Sequence, residues 1–188
     1  KSNLKYMKTK DLVLCAMFVA LIAVGAFIKI PVPVVPFTLQ FLFTMLAGLL
    51  LGPRNGALAV IVYILLGLIG LPVFTQGGGP AYIFQPSFGY IIGFAVAAYV
   101  NGKIANAQIR PGYKRLLGAN FLGLLIVYTF GMVYYYVISN FYLHSPIGVG
   151  VLFLYCFILA VPGDILLCIL AAIIGKRMIP LIQEGRLG

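Results

Sequence analysis

One carboxylate sits where water is scarce. The chain has three acidic residues, Asp11, Asp164 and Glu184, and Asp164 lies inside the apolar stretch LAVPGDILLC, residues 159–168. A carboxylate at bilayer depth costs several kcal/mol unless something satisfies it. No lysine or arginine lies within the apolar segments to pair with it, and a proton relay would need further acids. Two roles remain. Asp164 can cap backbone freed by Pro162, or it can accept hydrogen bonds from a bound molecule; the second is the expectation.

Neutral polar side chains add to it. Thr38 and Gln40 close the segment PFTLQ, while Gln76, Gly78, Gly79, Tyr82, Gln85 and Tyr90 are spread over TQGGGPAYIFQPSFGY. The tyrosines and glutamines combine a neutral body with a hydrogen-bonding tip, and glycines let backbone approach a bound molecule closely. With Asp164 beneath, this set predicts a part-apolar, hydrogen-bonding pocket for a small uncharged ring with N–H donors. It does not suit a metal ion or a nucleotide. Lys29 is expected either to snorkel at the membrane interface or to receive a ligand carboxylate.

Other chemistries find no support. His144 is the single histidine and reads as a surface residue. There is no H-E-x-x-H, G-x-S-x-G or carboxylate pair, and GGGP lacks the Lys-Ser/Thr of a phosphate loop. Cys15, Cys156 and Cys168 all fall in apolar segments, without C-x-x-C spacing, and read as buried structural thiols. No cofactor, metal site or nucleic-acid partner is expected.

The elements that must hold these residues are membrane spans. The sequence is 63% hydrophobic and 9% charged, with a mean hydropathy of +1.11, more apolar surface than a soluble domain of this length can hide. Six spans are predicted, near 12–28, 41–51, 57–71, 88–100, 116–138 and 147–174, the second being short for a bilayer. GPRNG is read as a turn, NGKIANAQIRPGYKR as a basic linker, and SNFYLHSP as a loop. The last run exceeds the length a bilayer needs, so a kink is expected at Pro162–Gly163. With the N-terminus inside, every lysine and arginine except Lys29 falls on the inner side. The positive-inside rule thus predicts cytoplasmic termini and puts the two Pro- and Gly-rich connections outside. The net charge of +10 is thereby assigned to membrane flanks. The fold class expected is an all-α integral membrane bundle of six transmembrane helices, one domain over residues 1–188.

Three segments carry a family resemblance: VPVVPFTLQFLFTMLAGLLLGPRNGALAVIVYILLGLIGLPVF, GGGPAYIFQPSFGYIIGF, and PGD in the last span. Together they resemble the BioY family, the biotin-specific substrate-binding (S) components of energy-coupling factor (ECF) transporters. The likeness covers residues 16 to about 172. It implies the six-helix S-component fold in a prokaryotic cell membrane, and high-affinity capture of biotin from outside. It implies partners too: a transmembrane coupling subunit, docking at an A-x-x-x-A motif matched by Ala16 and Ala20, and two ATPase subunits. The S component is expected to topple in the membrane to release the vitamin. Biotin suits the predicted pocket, since its ureido ring has two N–H donors and one carbonyl acceptor. In this reading the ring meets Asp164 and a glutamine, and the valerate points outward towards Lys29 or the glycine loop. One departure is Leu167, where members of the family often carry lysine three positions after the aspartate. An S component for another small vitamin is the near alternative. A small channel would need rings of polar groups repeated over several spans, and a membrane enzyme would need a nucleophile–base or metal set; neither is present in the sequence.

Overall fold

The computed structural model describes residues 8–30 and 37–187. The prolines Pro31, Pro33 and Pro36 of IPVPVVP lie outside the described residues. Among those described, the chain is a bundle of helices: α1 Thr9–Phe27, α2 Gln40–Leu51, α3 Pro53–Leu68, α4 Phe88–Ala105, α5 Tyr113–Val137, α6 Val149–Phe153 and α7 Val161–Leu187. A π-helical turn, Ile138–Tyr142, prolongs α5, and another, Leu154–Ile158, joins α6 to α7. Counted as continuous bodies these make six. Four runs are long and apolar enough to cross a membrane by themselves: Thr9–Phe27, Phe88–Ala105, Tyr113–Tyr142 and Val149–Glu184. This is a multi-pass membrane protein.

The two remaining bodies, α2 and α3, are short. At about 1.5 Å per residue α2 spans roughly 18 Å, well under the ~30 Å of a hydrocarbon core. It manages because it is interior: every residue from Gln40 to Leu51 except Phe43 is buried, and α1, α3, α4 and α7 pack around it. By contrast α1 buries one stripe, Cys15, Phe18, Ile22, Gly25 and Ala26, at the three-to-four spacing of a helix face. Its other side leaves Leu12, Val13, Met17 and Val24 exposed.

Several element boundaries differ from those expected. GPRNG is not a turn. Gly52 alone reverses the chain, at a φ of +88° that only glycine adopts readily. Pro53 then starts α3 at a position where a missing N–H costs nothing. The first residues of NGKIANAQIRPGYKR are helical, because Asn101 is fully buried inside α4. The SNFY of SNFYLHSP continues α5 as its π turn. The kink in the last run falls at Leu159–Ala160, just before Pro162, which sits in the first turn of α7 where its lack of N–H is tolerated. PFTLQ divides: Phe37–Thr38 pairs antiparallel with Lys29–Ile30 in a two-residue ribbon, and Gln40 begins α2.

A buried amide network ties four of the helices together. Asn101 Nδ2 donates to the Met45 carbonyl at 3.1 Å and to Asn120 Oδ1 at 3.2 Å, while Asn120 Nδ2 donates to the Cys168 carbonyl at 3.0 Å. One chain of hydrogen bonds thus joins α2, α4, α5 and α7. Gly48 makes room for it, since a Cβ there would lie 1.9 Å from Asn101 Oδ1 and 2.4 Å from the Ala98 carbonyl. Gly48→Val is therefore expected to cost about 2–3 kcal/mol by overpacking. That lowers the melting temperature by roughly 4–12 °C in detergent. Gly118→Ala, facing open space, is the control that does not lower the melt, since alanine is the better helix former.

Candidate functional site: a cavity under the ribbon end

At the end of the bundle that carries the ribbon lies a cavity, partly open to solvent. Its wall is built from α2 (Gln40, Phe41), α4 (Tyr90, Ile91, Phe94), α5 (Val127, Tyr128) and the broken last body (Cys156, Ala160, Asp164), with Thr38, Thr75, Tyr82 and Ser87 also lining it.

Asp164 comes to this cavity for a local reason. It lies in the first turn of α7, and the buried residues Asp164, Leu167, Cys168, Ala171, Ala172 and Ile179 recur at helical spacing on one face. A negative charge is favoured at a helix N-terminus by the backbone dipoles. The carboxylate does not serve as a backbone cap: its Oδ2 accepts the hydroxyl of Tyr128, 36 residues away on α5. Its other oxygen has no donor among the described residues.

Other polar atoms are left waiting. Gln40 Nε2 and the hydroxyls of Tyr82 and Tyr90 are buried and make no hydrogen bond of ordinary geometry among the described residues. Buried polar atoms without partners are uncommon and costly, and all three belong to cavity residues. The site therefore offers an amide donor, hydroxyls that can donate or accept, and one carboxylate oxygen, framed by Phe41, Ile91, Phe94 and Val127. Burial pushes the Tyr82 phenol up, which keeps it protonated and able to donate.

Tyr82 is positioned by an aromatic cluster. Its ring centroid lies 4.4 Å from that of Phe74 and 6.3 Å from that of Phe88. Phe74 is fully buried over Gly67, where a Cβ would come within 2.1 Å of its ring. The Tyr63 hydroxyl donates to the Val73 carbonyl at 2.8 Å, and Tyr134 donates to the Ile83 carbonyl. These contacts fold the segment 72–87 back over the end of α3 and α4.

Of the residues singled out in the sequence, Thr38, Gln40, Tyr82, Tyr90 and Asp164 are brought together around the cavity. Lys29, Gly78, Gly79 and Gln85 are not on its wall. Lys29 is exposed and its Nζ donates to the Thr75 carbonyl, which clamps the ribbon to the glycine loop. The glycines shape that loop. Gly79 adopts a φ of +106° and gives its N–H to the Gly67 carbonyl at 2.7 Å, and a Cβ on Gly78 would strike the Leu71 carbonyl at 2.2 Å. Gln85 ends the 3₁₀ turn Pro80–Phe84. Ala16 and Ala20 are exposed on α1, and His144 is exposed in its loop.

Residues that sequence reasoning did not pick include Tyr128, Phe41, Phe94, Thr75 and Cys156. Tyr128 left one trace, a hydroxyl on the α5 face that repeats through Leu124, Val127 and Gly131, all buried.

Comparison with known proteins agrees with this architecture. The family model described as the BioY family matches residues 1–184. The chain is 48% identical over 183 residues to the "Probable biotin transporter BioY" of Lysinibacillus sphaericus, covering 97% of this chain and 93% of that protein. It is 38% identical over 173 residues to the "Biotin transporter BioY" of Thermotoga maritima, covering 90% and 95%. Among solved structures, one described as the S-component for biotin from an ECF-type ABC transporter superimposes with a TM-score of 0.76 at 30% identity, covering 92% of this chain and 94% of that one. The helical bundle, the cavity beneath its ribbon end and these similarities together assign the chain to the BioY family.

Proposed function

We propose that this protein is the biotin-binding membrane subunit of an ECF-type uptake transporter, and not an enzyme. The observation that carries the reading is the convergence on one part-apolar cavity of Asp164, the Gln40 amide and the Tyr90 hydroxyl, the last two without a hydrogen bond of ordinary geometry among the described residues. The ureido ring of biotin answers that set: its N–H groups suit the carboxylate and a tyrosyl oxygen, and its carbonyl suits the Gln40 amide. The sulfur ring suits the apolar wall. The valerate then leaves at the rim, by the hydroxyls of Thr38, Thr75 and Ser87. The names carried by the relatives point to the same ligand.

In this reading the 188 residues form a single membrane unit in a prokaryotic cell membrane. The end holding Arg54, Lys103, Arg110, Lys114 and Lys176 faces the cytoplasm by the positive-inside rule, so the cavity opens outward. A coupling subunit and two ATPase subunits complete the transporter, with Ala16 and Ala20 as the docking positions. Titration calorimetry on the purified protein, with mass spectrometry of whatever co-purifies, tests the proposal. Biotin should bind one to one without nucleotide. No heat and no retained biotin, or a different vitamin in the preparation, would overturn it.

The place of Lys29 gives a smaller prediction. Because its ammonium is engaged by Thr75 and lies off the cavity wall, Lys29→Ala should change the dissociation constant for biotin by less than about threefold, within the small worth of an exposed charge contact. A loss of tenfold or more in the same titration would place the valerate on Lys29.

A further inference from the structure

We infer that Tyr128 is a positioning residue for the ligand: its hydroxyl holds one oxygen of Asp164 and so turns the other oxygen towards the bound ring. The inference rests on the biotin reading above and extends it to a residue that neither the sequence pattern nor the resemblance singles out.

Few other groups are placed to hold the carboxylate. On α7, residues three and four positions on share a face with Asp164. They are Leu167, buried and apolar, and Cys168, fully buried, and neither offers a strong donor. From α4 comes Tyr90, whose hydroxyl lies by the Cys156 thiol and makes no hydrogen bond of ordinary geometry among the described residues. The π turn contributes the Cys156 thiol. Only Tyr128, from α5, donates to the carboxylate among the described residues.

Tyr128 is itself fixed. It is 5% exposed, and its ring stands edge-on to Phe157 with centroids 5.4 Å apart. One turn further along α5, Gly131 has no Cβ because the Tyr90 ring occupies that place, 2.4 Å from where it would be. The two tyrosines are thus packed side by side along the carboxylate. A phenol seated in this way fixes the carboxylate's rotation before the ligand arrives, which lowers the ordering cost of binding.

A division of labour follows. With Oδ2 oriented by Tyr128, Asp164 turns Oδ1 to one ureido N–H. The second N–H turns to the Tyr90 oxygen, and the carbonyl to Gln40 Nε2. The two ureido nitrogens are therefore unequal.

The test is biotin titration on four purified proteins: the wild type, Tyr128→Phe, Asp164→Ala and the double variant. Tyr128→Phe should weaken binding roughly tenfold or more, the worth of a hydrogen bond to a charged group. In the Asp164→Ala background the same change should have no further effect, because Tyr128 acts through the carboxylate. A Tyr128→Phe protein that binds like the wild type overturns the inference. So does an undiminished effect in the double variant, which would make Tyr128 a direct contact or a packing residue. A second measurement needs no variant: biotin methylated on one ureido nitrogen should lose far more affinity than biotin methylated on the other, and equal losses overturn the inference. A wild type that binds no biotin brings down the functional proposal itself, an outcome distinct from a wild type that binds while these comparisons fail.

Discussion

Asparagine in place of Asp164 is expected to weaken biotin binding at least tenfold. The side chains are nearly the same shape, so the cavity keeps its walls and the change falls on charge and on donor–acceptor polarity. A hydrogen bond to a carboxylate contributes about 1.5–3 kcal/mol, and asparagine gives up the charge. It also brings an N–H₂. With the Tyr128 hydroxyl still requiring an acceptor, the amide oxygen turns towards α5 and the N–H₂ faces the cavity. Two donors then meet there. Calorimetric titration of the purified variant measures the effect, and an unchanged dissociation constant would return Asp164 to a purely structural role. Stability should move in the other direction or not at all, because an uncharged amide is easier to bury than a carboxylate.

Tryptophan at Ala16 or Ala20 should have the opposite profile: uptake falls to background while binding is untouched. Both alanines lie on the exposed side of α1, away from the cavity wall. Four residues apart, they stack on one helix face and leave a shallow strip on which another membrane helix can approach closely. An indole fills that strip without entering the bundle. Uptake of labelled biotin by cells, set beside titration of the same purified variants, separates the two effects. Uptake that survives both substitutions would show this face to be plain lipid contact. Loss of binding as well as uptake would show that α1 reaches the cavity through the packing of Phe18 and Ile22.

Part of the cavity wall was legible in the sequence because a charge in an oily chain is conspicuous. Asp164 stood out by scarcity, and Gln40, Tyr82 and Tyr90 by being hydrogen-bonding side chains at the ends of apolar runs. Tyr128 was illegible for the same reason in reverse. A tyrosine within LLIVYTF looks like any aromatic in a span, and its partner lies 36 residues away, a distance no local pattern encodes. Gly78 and Gly79 were legible as special backbone positions, but glycine signals that space or a positive φ is needed, not what needs it. Here the need is a loop folded onto Gly67 and Leu71.

The helix ends show the same division. The bodies of the spans followed from hydropathy. Their boundaries depended on single residues whose effect is set by context: Pro53 opens a helix because Gly52 has already turned the chain, and Asn101 stays helical because Met45 and Asn120 supply what water would have supplied.

The enclosure of α2 bears on how the surrounding bilayer reaches the ligand. Acyl chains press on α1, α5 and α7 but have almost no purchase on the helix that carries Gln40 and Phe41. Changes in lipid thickness or saturation must therefore pass through a jacket of neighbouring helices before they disturb the floor of the cavity, and the grip on the cargo is insulated from the medium in which the protein floats.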